Sequence, residues 1–423
     1  MQFEATLDFA RGADAADPLR GFRAEFAVPR APQPESIYLC GHSLGLAPLD
    51  AAARVNEELA DWRALGVAGH LAARRPWIDY ADRLATALEP LTGATARQLV
   101  AMNSLTVNLH LLLASFYRPH GQRSRVLIER GAFSSDRHAV AAQIAWHGFD
   151  PEAELIELGQ GDEPLGIDQI EAAIAAAGDS LALVLWPGVQ YYSGQAFDCR
   201  RIARAAHAVG ALAGFDHAHA IGNLALDLPG DDADFAVWCS YKYLNGGPGA
   251  IGGAYIHERH SRDRQRPRLA GWWGHEASSR FEMRPGFIPA DGAAGFAVSN
   301  PPIFSAAPLL ASLELFEKAG VPALRRKSIA LTGYLEFLLQ QRLAGSVAIV
   351  TPPVAAERGC QLSVRPRMAV QASKLFEQVS QLGVVCDLRG DVLRFAPVPL
   401  YNGFEDVWHA VDRLAMAQRQ LTG

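Results

Sequence analysis

A chain of 423 residues is longer than one typical domain, and its 49% hydrophobic and 20% charged residues are ordinary for a globular protein, so two domains are expected. A net charge of −6 without a basic block argues against a nucleic-acid partner, and no apolar run reaches the length of a membrane span. The opening M-Q-F-E-A-T-L-D-F-A-R lacks the basic-then-apolar order of a signal peptide. The five cysteines are scattered without a C-x-x-C pair and read as reduced core thiols, which fits a cytoplasmic enzyme.

Residues 1–36, rich in Pro and Asp, read as an irregular leading arm. The following I-Y-L-C-G-H-S-L-G-L-A-P, Ile37 to Pro48, contains a formal match to the G-x-S-x-G nucleophile elbow centred on Ser43. An elbow needs a strand before it and a helix directly after it. Nothing strand-like precedes Ile37 and Pro48 follows closely, so a substrate-facing turn is the better reading and a serine hydrolase the remote one. Apolar periodicity predicts helices over 51–65 and 80–91, joined by a loop carrying His70, Arg74 and Arg75 whose default reading is solvated charge.

A short strand over 98–102 runs into N-S-L-T-V-N-L-H-L-L-L-A-S-F-Y, where Leu105, Leu109, Leu112 and Phe116 share a helical face and Asn103 or Ser104 can cap. Free N–H groups at such a strand-to-helix turn suit a phosphate, with the Thr106 hydroxyl as a further donor. An ordinary capped core helix explains the same residues. Strands are then predicted over 125–129, 153–156, 181–186 and 211–215, alternating with helices that end at His147 or span 167–177 and 198–209. Alternation of this kind implies βαβ units and a doubly wound, mainly parallel sheet, which binds ligands at the carboxyl ends of its strands. Asn103 to Thr106, Phe133 to Asp136, Asp216 to His219 and Lys242 all fall at such ends. Phe133 offers a flat face to a ring and Asp216 a charge to a ring nitrogen.

Two apolar runs, 211–215 and 233–240, deliver Asp216 and Lys242 from their ends. A lysine flanked by aromatics loses hydration, which should lower its pKa and make its amine nucleophilic. An imine-forming lysine with an acid for a pyridinium nitrogen is the protein half of pyridoxal phosphate (PLP) chemistry. A snorkelling lysine and a helix-capping aspartate would look the same at this point. Gly247 to Gly252 formally match G-x-G-x-x-G, but an extended run follows where a dinucleotide site needs a helix. His217 and His219 are too few for a metal site, so no metal is expected.

Residues 262–305 are irregular and rich in Gly, Pro, Arg and aromatics, including Trp272, Trp273, His275, Phe281 and Asn300; a stretch of that length is usually functional or interfacial. Helices over 306–319 and 324–343, short strands and a helix over 404–421 mark a second domain. There Arg394, on a strand over 392–395, suits bidentate capture of a carboxylate, with a surface ion pair as the duller alternative. The expected division is an arm and linking segment (1–50), a large domain (51–305) and a small domain (306–423).

With these residues in view, the chain resembles kynureninase, a PLP enzyme of the aspartate-aminotransferase fold (fold type I), from about Tyr38 to Asn402. The resemblance is carried by L-C-G-H-S-L-G-L-A-P, M-N-S-L-T-V-N-L-H-L-L-L-A-S-F-Y, P-G-V-Q-Y-Y-S-G-Q, G-F-D-H-A-H-A-I-G-N, D-F-A-V-W-C-S-Y-K-Y-L-N-G-G-P-G, R-L-A-G-W-W-G-H, S-N-P-P-I, R-G-C-Q-L-S and R-F-A-P-V-P-L-Y-N. It implies a fold type I architecture: a large domain with a mainly parallel sheet and a smaller α+β C-terminal domain. Lys242 becomes the imine-forming lysine and Asp216 the partner of the pyridine nitrogen, with His219 close by. Leu105 and Thr106 lie at the phosphate, Phe133, Ser134, Ser135 and Asp136 line the ring, and Tyr241 donates to the phosphate or relays protons. Trp272 and Asn300 complete the pocket, across a homodimer interface. Arg394 holds the substrate α-carboxylate, and Ser43, His70, Ser299 and Asn300 surround the aryl end.

The implied reaction is hydrolysis of the Cβ–Cγ bond of L-kynurenine or 3-hydroxy-L-kynurenine, in tryptophan breakdown or NAD biosynthesis. The chain departs from the family at His42, often Asn, and His217, often Leu; at Ser134-Ser135-Asp136, commonly P-T-D or P-S-D; and at Pro187, a serine in some relatives. These departures bear on substrate preference. A desulfurase or transaminase of the same fold is the alternative. A desulfurase needs a reactive cysteine on a mobile loop, whereas Cys360 falls in a predicted strand. Intact Lys242, Asp216 and Arg394 argue against a non-catalytic binding protein.

Overall fold

The computed structural model describes residues 2–30, 36–159, 164–367 and 371–422. Between residues 99 and 256 the alternating elements fold into one seven-stranded sheet. Its strands are β1 (Leu99–Ala101), β2 (Arg125–Glu129), β3 (Leu155–Leu158), β4 (Leu181–Pro187), β5 (Leu212–Asp216), β6 (Phe235–Trp238) and β7 (Gly253–Ile256), ordered β1-β7-β6-β5-β4-β2-β3. Only β7 is reversed, pairing antiparallel with β1 and β6. The inner strands read as nearly unbroken apolar runs because both faces are covered, whereas the edge strand β3 carries Glu157 and is only partly buried. Val126, Ile128, Leu183, Leu185, Phe235 and Val237 share a core with Leu109, Phe116, Val140 and Ile144 of helices Leu105–Phe116 and Ser134–Trp146. Their chain neighbours Leu127, Val184, Trp186, Ala236 and Trp238 share the opposite core with Ile170, Ile174, Ile202 and Ala206.

One buried acid anchors the start of β6. Asp234 accepts from the Ala213 N–H (2.7 Å) and Arg259 Nη2 (2.6 Å) and meets His207 Nε2 (2.8 Å) and His260 Nε2 (2.5 Å). Burial alone would raise its carboxyl, but these hydrogen bonds hold it well below the usual carboxylate range. Removing one partner from a buried charged cluster costs about 3–5 kcal/mol. Arg259 and His207 keep some contact with water, so Asp234→Ala is expected to cost near the lower end of that range, read as a fall of several degrees in melting temperature. A melting temperature unchanged by the substitution would refute this anchoring role. Because the folded-state pKa is lowered, the stabilisation is complete above the unfolded value of about 3.9 and drains away as pH falls toward the folded one.

The C-terminal part carries an antiparallel four-stranded sheet of β8 (Val347–Ile349), β9 (Leu362–Pro366), β10 (Asp387–Arg389) and β11 (Val392–Phe395), in the order β8-β9-β11-β10. Val364, Leu393 and Phe395 pack with Leu335 and Leu338 of helix Val321–Arg342 and with Val411 and Leu414 of helix Phe404–Thr422. Helix Ile303–Ala319 instead packs on helices Ala51–Leu65 and Tyr80–Thr92, placing Ala306, Leu309 and Phe316 in the core of the large sheet.

Two local expectations need correction. The leading arm contains a helix, Leu7–Ala16, started by the Thr6 hydroxyl accepting the Phe9 N–H (3.2 Å); it buries Ala10 in the small core. Positions 1 and 31–35 of that arm lie outside the described residues. The strand expected at 153 begins only at Leu155, because Asp150 caps and Pro151 opens a short helix, Pro151–Glu154. Among the described residues no helix is long and apolar enough to cross a membrane.

Candidate active site

Strands β1, β2, β4, β5 and β6 end on the same edge of the sheet, and the segments leaving them enclose a cavity of about 120 Å³. Leu105 and Thr106 follow β1; Glu129, Phe133, Ser135 and Asp136 close and follow β2. Pro187 to Tyr191 leave β4, Asp216, Ala218 and His219 leave β5, and Tyr241 and Lys242 leave β6. Nine residues singled out from the sequence therefore meet in one cavity: Leu105, Thr106, Phe133, Ser135, Asp136, Asp216, His219, Tyr241 and Lys242. A larger groove of about 860 Å³ lies by the N-terminal helix; its charged lining is paired with itself, as in Lys327–Asp17 (2.7 Å) and Arg23–Asp406 (2.5 Å).

The lysine loop is held from both sides. Gly246 N–H donates to the Ser240 carbonyl (2.8 Å), and Asn245, left-handed at φ 53°, donates its N–H to the Lys242 carbonyl (2.9 Å). From the other side Gly45 N–H donates to the Tyr241 carbonyl (2.8 Å). A Cβ at Gly45 would strike the Lys242 carbonyl and Asn245, so only glycine permits this approach. The G-H-S-L-G string is thus a docking turn, with the next helix starting only at Ala51. Ser43 Oγ donates to Asp387 and accepts from Arg394 Nη2 (3.2 Å), a carboxylate and a guanidinium where an elbow serine needs an imidazole.

Lys242 Nζ sits 5.8 Å from the ring centres of both Phe133 and Tyr241. In the same cavity Asp216 is buried and accepts the Ala218 N–H (2.7 Å). Asp136 shares a hydrogen bond with Asp216; burial and that neighbouring carboxyl push Asp136 well above its ordinary range. Burial also raises Asp216, while Lys242 and the Ala218 N–H restrain the rise, so the shared proton belongs on Asp136. His219 is held well below its usual value by burial, then by Lys242 and Arg394, and Glu129 is pushed up to about 8 by burial. Asp136 Oδ1, His219 Nδ1 and Glu129 Oε2 are buried without a hydrogen-bond partner in the protein. Burial raises the Tyr241 phenol too, so it keeps its proton. A carboxylate, an amine, an aromatic face and a helix N-terminus around one small cavity fit a flat cofactor carrying an aldehyde, a ring nitrogen and a phosphate.

Other expected site residues do not line this cavity. Ser134 opens its helix beside it. Arg394 is 2% exposed, which rules out a surface ion pair: Nη1 donates to the Tyr191 carbonyl (2.7 Å) and Nη2 to Asp387 and Ser43. His70 is exposed against Trp77, Trp272 is half-exposed and donates Nε1–H to the Arg280 carbonyl (3.1 Å), and Ser299 and Asn300 are exposed. Of the departures, Pro187 lines the cavity; His217 is buried on Phe215, pushed to about 4 by burial. Cys360 lies just before β9, not within it, buried with its thiol raised to about 12. None of the five cysteines is exposed, which leaves no mobile-loop thiol for desulfurase chemistry. Cys40, His42 and Asp387 have ligand atoms within 4.8 Å of one another, but Arg394 already takes the carboxylate and burial raises the Cys40 thiol to about 11.

Reasoning from sequence missed Glu129, Val189, Gln190, Tyr191 and Asp387. The run after Pro187 was visible as a string without roles. Asp387 was signalled by D-L-R-G-D-V-L-R, where a Gly390-Asp391 turn places it directly opposite Arg394.

A family model described as the kynureninase C-terminal domain matches residues 324–414. A kynureninase of Xanthomonas campestris pv. campestris (strain B100) is 52% identical over 409 residues, 96% of each chain. Kynureninases of Stenotrophomonas maltophilia (53% identical, 95% of this chain and 96% of that one) and Myxococcus xanthus (49%, 97% of each) are similarly related. Among solved structures, a C-DES mutant with glycine covalently linked to its PLP cofactor superposes with a TM-score of 0.75 at 18% identity, covering 92% of this chain and 99% of that one. The cysteine desulfurase CsdA of Escherichia coli gives 0.74 at 18%, covering 95% and 98%. At such identity these two report the fold, which is the fold type I architecture of PLP enzymes.

Proposed function

The chain belongs to the kynureninase family, and from that premise we propose that the cavity between Asp216 and Lys242 holds PLP and hydrolyses the Cβ–Cγ bond of L-kynurenine, or of its 3-hydroxy form, to anthranilate or 3-hydroxyanthranilate and L-alanine. The observation that carries this is the delivery of Lys242 and Asp216 from adjacent parallel strands to one cavity walled by a helix N-terminus.

When bound, PLP supplies an aldehyde carbon that bonds an amine and a ring that withdraws electrons. Lys242 Nζ is the amine that would hold that carbon and, once displaced by the substrate's amino group, take the proton from Cα. Asp216 holds a proton on the ring nitrogen, and Asp136, protonated beside it, keeps the second carboxyl neutral. Leu105 and Thr106, at the start of helix Leu105–Phe116, face the phosphate with N–H groups that lack helical acceptors. Phe133 covers the ring. The Tyr241 hydroxyl donates to the phosphate or returns a proton to Cβ after water has added to the γ-carbonyl and the Cβ–Cγ bond has broken. Arg394 binds the α-carboxylate.

His70, Trp272, Ser299 and Asn300 are assigned to the site of a second copy, which makes the protein a homodimer. Exposed apolar side chains favour this: Val67 (85%), Leu71 (73%) and Phe281 (62%), with Trp62 packed on Phe304 (6.0 Å). Leu71→Asp is expected to convert a dimer to a monomer in light scattering and to reduce turnover at least tenfold, about 1.4 kcal/mol; a dimer of unchanged activity would place the interface elsewhere. Unpaired thiols, four of the five buried, favour a reducing cytoplasm. The direct test is to add L-kynurenine to the purified protein. A visible PLP band that changes on mixing, with anthranilate fluorescence, supports the reading. A band without anthranilate keeps the cofactor but removes this substrate, and no band after adding PLP removes both.

A further inference from the structure

Arg394 is a buried cation whose charge is already answered. Asp387, its cross-strand neighbour in the β10–β11 hairpin, brings a single oxygen, Oδ2, to Nη2. That same oxygen also accepts from Ser43 Oγ and lies 3.5 Å from Arg389 Nη2 and 3.7 Å from His42 Nε2. The guanidinium is therefore met end-on, not as a two-bond fork, and its Nε is buried without a partner. Asp387 is less confined than Arg394, its side chain being 14% exposed against 2%, and Arg389 beside it is 51% exposed.

We propose that Asp387 is a resident counter-ion: its carboxylate occupies Arg394 while no amino acid is bound and passes toward Arg389 when a substrate carboxylate claims the guanidinium. The proposal deepens the kynureninase reading and rests on Arg394 as the carboxylate receptor. A buried guanidinium without an anion is costly, so the unliganded enzyme needs Asp387. A substrate carboxylate using two N–H groups of the fork needs an N–H of Nη2, and Nη2 already donates to Asp387 and to Ser43, itself bonded to the same Asp387 oxygen, so the incoming anion competes with Asp387. Asp387 acts through Arg394 and is a positioning residue. It sets how strongly a ligand must present an α-carboxylate to enter.

The test uses holoenzyme carrying Asp387→Asn, which keeps the shape and removes the charge. L-alanine binding is measured by titration calorimetry, which needs no turnover, alongside KM and kcat for L-kynurenine. Release of one competing charge-assisted hydrogen bond predicts a Kd and KM lower by roughly tenfold or more, the change residing in KM more than in kcat. The unliganded variant should melt earlier than the parent and recover when L-alanine is added. A raised Kd would make Asp387 an aid to carboxylate binding, and an unchanged one would make it structural; either overturns the proposal. Arg389→Ala, which removes the landing site, should raise KM, and an unchanged KM counts against the exchange even if Asp387→Asn does not fold. Arg394→Ala separates the layers: L-alanine binding unchanged in that variant removes the underlying carboxylate reading, whatever Asp387 does.

Discussion

Lys242→Ala is expected to lower kcat for L-kynurenine by about 10³-fold or more, because the proposed mechanism uses one amine both as covalent anchor and as base for the Cα proton. The Nζ lies 5.8 Å from the ring centres of both Phe133 and Tyr241, Asp216 lines the same cavity, and among the described residues no other lysine lines it. The variant should still bind PLP through Asp216 and the phosphate end, with a shifted visible spectrum. Small primary amines in the buffer should restore part of the proton transfer. Turnover within tenfold of the parent would remove Lys242 from its assigned role. Loss of PLP binding altogether would show that anchorage outweighs the other contacts.

Asp216→Asn is the second large effect expected. It keeps the side chain's size and its acceptor for the Ala218 N–H but removes the negative charge that holds a proton on a ring nitrogen. Loss of one such preorganised electrostatic partner costs about 10²–10³-fold in kcat. The fall should appear in kcat far more than in PLP affinity, because the phosphate and lysine contacts remain. Without the Asp216 charge, Asp136 also loses the neighbour that raises it, so any ionisation seen in the pH profile should move to lower pH. A kcat equal to the parent's would mean that the ring works without that proton.

The position of both residues at the sheet's edge was legible in the sequence, and for the same reason. Strands covered on both faces announce themselves as unbroken apolar runs, and the first polar residues past them must stand at the sheet's edge. Asp387 was missed because its role comes from pairing across a hairpin, so that the Gly390-Asp391 turn, and no helical or strand periodicity, is its one sequence signal. The helix Leu7–Ala16 was masked by Pro and Asp around it; its stability comes from packing on the C-terminal helix, which local composition does not reveal. His70, Trp272 and Asn300 stood out only as members of a charged loop and an irregular stretch, their roles and Ser299 coming from the resemblance alone, and a single chain leaves all four outside the cavity.

The docking turn at Gly45 also has a consequence for the order in which the protein matures. Residues 37–46 join the lysine loop to the last strands of the chain. Ile37 N–H donates to the Gly383 carbonyl (2.8 Å), Ala396 N–H to the Leu39 carbonyl (2.8 Å), and Ser43 meets Asp387 from 344 positions away. The large sheet closes on contacts that are all made by Ile256, but this N-terminal segment gains its second set of partners, Gly383, Val385, Asp387 and Ala396, only when residues beyond 380 have been synthesised. Closure of so long a loop is late and slow. A nascent chain that has not yet reached residue 383 would thus hold a finished sheet and a lysine loop whose docking turn is anchored on one side only, so that the turn is fixed in place only after residues 383–396 have emerged.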